Sequence, residues 1–179
     1  MSRALIWLFF ATLSVILLLQ LRGIDAPLVT DMTPWGIVGY ELAFTAERAQ
    51  AMLDAWKDAG VTESVRVSLG VDVGLLLVYP WFFRWSIALL RRPGFSTPGT
   101  AFDRWGATLA TAVLACTVLD ALENGLLWRM TERGASSGSA LLAGVAATSK
   151  FLLVFAATGW CLAAISRRLT RAAAPTARR

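Results

Sequence analysis

Five polar side chains sit where an apolar sequence leaves them little water: Asp72, Asp120, Glu123, Asn124 and Lys150 all lie inside long hydrophobic runs. Such groups are rare in hydrocarbon; they face a protein interior, pair, and mark binding, proton transfer or ion passage. Asp120, Glu123 and Asn124 stand at i, i+3 and i+4 and so share a helix face, which Thr117 extends. Asp72 and Tyr79, seven apart, also share a face, and Lys150 stands on the face of Ala143 and Ala147. Counting about 1.5 Å per residue along each run puts Asp72, Asp120 and Lys150 roughly 10 to 14 Å below the same membrane surface. Three helices are therefore expected to bring them together at one level. One lysine cannot neutralise three carboxylates, and an unpaired carboxylate in a low dielectric keeps its proton. At least one of Asp72, Asp120 and Glu123, the catalytic candidates, is thus expected to hold a proton near neutral pH, as an acid catalyst, a proton coupler or a cation site requires. The competing expectation is a structural ion pair that fixes helix register.

Other chemistry has less to work with. Histidine is absent, there is no C-x-x-C, and the two cysteines, Cys116 and Cys161, fall at different depths of different runs. Free apolar thiols are expected, with no metal and no cofactor, because zinc, haem and thiol-redox centres lack their usual ligands.

The elements that must position these residues are helices. Ala4 to Leu21, Trp105 to Trp128 and Leu141 to Ile165 carry almost no charge, and Val65 to Phe83 is as long but contains Asp72; each can span a hydrocarbon core. With 16% charged residues and a positive mean hydropathy, the chain is expected to be an all-α, four-helix transmembrane bundle in one domain, residues 1–169. The spans are expected at about 4–22, 65–88, 105–128 and 141–165, followed by a disordered basic tail, 170–179. Arg3 before an apolar run resembles a signal peptide. The run is long, however, and Ile24 and Pro27 spoil cleavage after Ala26, so an uncleaved helix is expected. Arg84, Arg91, Arg92 and Arg104, with Arg167, Arg168, Arg171, Arg178 and Arg179 in the tail, place those segments and both termini in the cytoplasm, the bundle in a cell (inner) membrane. The net charge of +5 is then an inner-face charge attracted to anionic lipid; nucleic acid is not expected.

An outer loop, residues 23–64, joins the first two spans. Thr33 and Pro34 read as a helix start before Trp35 to Phe44, and Thr45 as the cap of Ala46 to Ala59, stopped by Gly60. Ala49, Met52, Leu53 and Trp56 form one face of the second helix, which predicts an amphipathic lid on the outer membrane surface, over the bundle. Glu41 is placed to reach down from it. The picture is a polar pocket openable to the outside and floored by Tyr79, with Glu41, Asp72, Tyr79, Asp120, Glu123, Asn124 and Lys150 as its ligand-binding set. Trp7, Trp81, Trp85, Trp105 and Trp160 are read as inner-boundary residues and Trp128 as an outer one. Gly70 with Gly74, and Ala140, Gly144 and Thr148, are read as close-packing positions, and Pro80 as a kink.

Glu41-Leu42-Ala43, Trp56, Asp72 with Tyr79, the run Asp120-Ala121-Leu122-Glu123-Asn124, and Lys150-Phe151 together give a chain that resembles a group of uncharacterised bacterial four-span membrane proteins over most of its length. The resemblance implies that these residues are the group's polar signature and carries no activity with it. Three functional expectations remain open. The first is binding or transport of a small amphiphilic or cationic ligand. The second is an intramembrane enzyme acting on a lipid or isoprenoid, with Glu123 or Asp120 as general acid or base, Asp72 as partner and Lys150 stabilising negative charge. The third is a structural or accessory subunit. Membrane lipid, a second copy of the chain or another membrane protein are the expected partners.

Overall fold

The computed structural model describes residues 2–173, and their regular structure is helical throughout. The helices are α1 (Arg3–Asp25), α2 (Gly36–Glu41), α3 (Ala46–Asp58), α4 (Thr62–Leu76), α5 (Tyr79–Leu90), α6 (Ala101–Ala112), α7 (Ala115–Arg133) and α8 (Ser137–Ala173), with a 3-10 turn at Ala26–Leu28. Four helical stretches, Arg3–Leu28, Thr62–Leu90, Ala101–Arg133 and Ser137–Ala172, are long and apolar enough to cross a membrane. The all-α four-span bundle is therefore found, each span longer at both ends than its expected apolar run. Since α8 continues through Thr170 to Ala173, the start of the expected disordered tail is helical; the rest lies outside the described residues.

α1 packs on α4 and α5, α7 packs on α4 and α8, and α8 also meets α5 and α6. α1 and α8 form no comparable interface with one another. Of the two glycines in α4, only Gly74 makes the expected close approach, with a Cβ there 3.7 Å from Leu17 of α1; Gly70 faces open space.

Two spans are interrupted at matching places. Pro80 has no N–H to give the Leu76 carbonyl, and the chain breaks at Leu77 and Val78, separating α4 from α5. The hydroxyl of Thr117, on α7, donates to that carbonyl instead, at 3.2 Å. The break between α6 and α7 has no proline. Here Leu114 N turns back to the Thr111 carbonyl at 3.2 Å, and the Ala110 carbonyl accepts from Arg84 Nη1, reaching across from α5 at 3.1 Å. A buried carbonyl without a donor is costly, so each break is closed by a side chain from the neighbouring span. Arg84 thus acts inside the bundle rather than as a loop charge.

The loop between α1 and α4 is a packed cap. Thr33 is not a helix cap: its buried hydroxyl donates to the Leu28 carbonyl at 2.6 Å, and the Trp56 indole N–H donates to the same carbonyl at 2.9 Å. Left-handed Gly36 (φ 52°) and Phe44 (φ 59°) bracket α2, which is why this helix is shorter than the apolar run suggests. The Phe44 ring sits where a Gly144 Cβ would be, 2.6 Å from its Cδ1, so Gly144 serves the cap rather than a neighbouring span. α3 forms where expected, with the Thr45 hydroxyl accepting from Arg48 N at 3.3 Å. Its apolar face does not lie on lipid: Ala49, Met52, Leu53 and Trp56 pack with Tyr40, Val65, Leu69, Leu127, Met130 and Ala143 in one core. Burial against protein accounts for the amphipathic pattern equally well, and periodicity alone cannot tell the two apart.

A second core, around Ile87, Val113, Ala157 and Trp160, fills the opposite end of the bundle. Trp160, read as a boundary residue, is internal; it stacks on Phe102 at 4.8 Å and donates to the Phe102 carbonyl at 2.9 Å.

Candidate functional site

Between the two cores lies a polar layer. Lys150 is carried in mid α8 beside Ala143, Ala146 and Ala147, all fully buried, whose small side chains let α7 approach. Its ammonium group is 2.6 Å from Asp120 Oδ1, 2.9 Å from Glu123 Oε2 and 3.7 Å from Glu41 Oε2. Asp120 is engaged at both oxygens, because the Tyr79 hydroxyl, just past the α4/α5 break, donates to Oδ2 at 2.9 Å. Asn124 Nδ2 donates to Asp72 Oδ2 at 2.6 Å. All seven residues singled out from the sequence thus meet, from α2, α4, α5, α7 and α8. Asp72 joins through Asn124 rather than by pairing with Lys150.

Charge is unbalanced: Glu41, Asp72, Asp120 and Glu123 surround one lysine. Three of the four already contact its ammonium group, which has only three N–H donors. A buried lysine left with a single carboxylate gains little net stability, whereas hydrogen bonds to several repay more of its desolvation.

A cavity of about 840 Å³ runs along this layer. Leu18, Leu21, Arg22 and Asp25 line it from α1, with Phe151 and Val154 from α8. Ser68, Leu69, Asp72 and Leu75 of α4, Tyr79 and Phe83 of α5, and Asp120 and Asn124 of α7 form its back wall, and Trp35 to Val38 with Glu41 roof it. The cap therefore covers the side expected to open to the outside. α1 and α8 line the remaining side, and no packed interface joins them. Glu123 is fully buried and is not among the residues that line the cavity. It sits behind Lys150 and positions it.

Sequence reasoning missed Asp25, Arg22, Phe83 and Trp35. Asp25 falls within the expected outer loop, 23–64, yet its Oδ1 is buried without a hydrogen-bond partner. Its place in the last turn of an otherwise apolar helix, Arg3–Asp25, was the available signal.

Glu41 hangs from the cap into this layer. Burial pushes its carboxyl up from an ordinary 4.5 to about 7; Lys150 opposes this, and Asp72 and Asp120 add to it. The folded chain holds this proton more tightly than the unfolded chain does. The stability so contributed is complete below about 4.5 and is lost as pH rises to about 7. Thermal unfolding in detergent is expected to fall from about pH 5 to about pH 8 in the wild type, and to fall less in Glu41→Gln. Parallel curves for the two proteins would remove Glu41 as the source.

No protein-family model, curated protein or solved structure matches this chain.

Proposed function

We propose that the chain binds a small amphiphile with a cationic head group in the cavity beneath its cap, and that it belongs to the multi-pass proteins of a cell membrane. The observation that carries this reading is the composition of the cavity wall. Leu18, Leu21, Leu75, Phe83, Phe151 and Val154 supply an apolar surface, and one region ends on Asp72, Asp25 and Asp120, where carboxylates outnumber the lysine. Sites for small molecules have this character, mostly apolar with a few placed polar groups, in volumes of roughly 300 to 1,000 Å³. The acid–base reading is weaker. Asp120, the candidate base nearest the lysine, has both oxygens engaged by Lys150 and Tyr79, and Glu123 is out of a ligand's reach.

The test is binding of dodecylammonium by purified protein in lipid nanodiscs, read by thermal shift and by the fluorescence of Trp35, which lines the cavity. Asp72→Asn keeps the shape and the contact with Asn124 but removes a charge-assisted bond worth about 1.5–3 kcal/mol, an expected loss of affinity of roughly ten- to a hundredfold. No shift in the wild type, or equal affinity in the variant, overturns the reading.

A further inference from the structure

Resting on that reading, we propose that the ligand is a single-chain amphiphile that reaches the cavity from the bilayer, through the seam between α1 and α8, and leaves its ammonium group between Asp25 and Asp72.

The route follows from which walls are closed. The cap residues Ala26, Val29, Trp35 to Val38 and Glu41 cover one end, and α4, α5 and α7 close the back. α1 and α8 flank the front, with Leu18 on one side and Phe151 and Val154 on the other, and no packed interface joins them. Outside the seam the surface is apolar. Leu18 is 53% exposed on α1, and Leu152 and Phe155 are 65% and 69% exposed on α8. A water-soluble cation gains nothing from such a surface, whereas an amphiphile partitions into the layer that faces it.

Head group chemistry follows from the missing donors. Lys150 serves Asp120, Glu123 and Glu41, which leaves two carboxylates on the cavity wall that it does not reach. Asp72 receives its hydrogen bond from Asn124, and Asp25 Oδ1 is buried with no partner. Arg22, on the rim, is exposed and forms no ion pair among the described residues. An ammonium group brings a positive charge to two carboxylates that have no ion-pair partner among the described residues, and a donor to the unfilled Asp25 Oδ1. At about 840 Å³, the cavity suits one aliphatic chain with its head better than a two-chain phospholipid.

Closing the seam tests the route apart from the site. Leu18→Cys with Val154→Cys, in a Cys116→Ala, Cys161→Ala background, is joined by a reducible bis-maleimide; binding of dodecylammonium and of methylammonium is then measured before and after cleavage of the linker. The expected result is at least a tenfold slower uptake of dodecylammonium by the joined protein, restored by reduction, with methylammonium unaffected. Uptake of dodecylammonium at the same rate with the seam closed overturns the route while leaving the binding reading standing. Normal uptake through the seam by an Asp25→Asn variant of unchanged affinity overturns the assignment of the head group. Failure of the unjoined protein to bind either amine overturns this inference together with the binding reading.

Discussion

Lys150→Met is expected to destabilise the bundle by about 3–5 kcal/mol, because it leaves buried carboxylates without their cation. Methionine matches the volume of the lysine stem, so packing is kept and charge alone is removed. Asp120 and Glu123 are 2% and 0% exposed, respectively, and neither can turn to water. Their oxygens would face one another and Glu41 across the space the ammonium group now fills. Neutralising the partners should reverse the loss: Lys150→Met combined with Asp120→Asn and Glu123→Gln is expected to recover most of the wild-type unfolding temperature in detergent. A single Lys150→Met variant that melts with the wild type would show that the carboxylates are held by something other than this ion cluster.

Trp56→Ala is the second. The indole is completely buried, meets Tyr40 edge to face at 5.4 Å, and donates to the Leu28 carbonyl, with Thr33 Oγ1 also within 3.2 Å. Removing a buried aromatic of this size costs about 3–5 kcal/mol. The loss falls on one place, since Trp56 joins α3, α2 and the turn after α1, and the roof over the cavity depends on all three. Proteolysis within residues 29–61 is expected to accelerate at least tenfold, with cleavage of the other connections unchanged. Trp56→Phe keeps most of the packing and gives up the hydrogen bonds, and is expected to cost roughly 1 kcal/mol for each one lost. If Trp56→Ala leaves proteolysis of the cap at the wild-type rate, the cap is held by contacts other than this side chain.

By itself, the sequence determined the class, the four spans and the meeting of Asp120 with Lys150. Helix length must match the thickness of hydrocarbon, and a charge inside a span must find an opposite charge at its own depth, so counting residues was enough. Thr45, Gly60 and Pro80 were legible for a similar reason: a cap, a left-handed stop and a missing N–H act on the backbone within a turn of themselves. The tertiary structure alone decided which direction each polar face looks and what it meets. Nothing local says that Thr117 and Arg84 close two helix breaks from neighbouring spans, or that Phe44 lies on Gly144. Nothing in the period of α3 says whether its apolar face is buried by lipid or by protein, because both solvents are equally dry. Glu123 and Asn124 each share a face with Asp120 by spacing, yet the first is sealed behind Lys150 and the second borders the cavity. That difference depends on where α1 and α8 stand apart, which is set by the packing of whole helices and not by any residue's own neighbours in the chain.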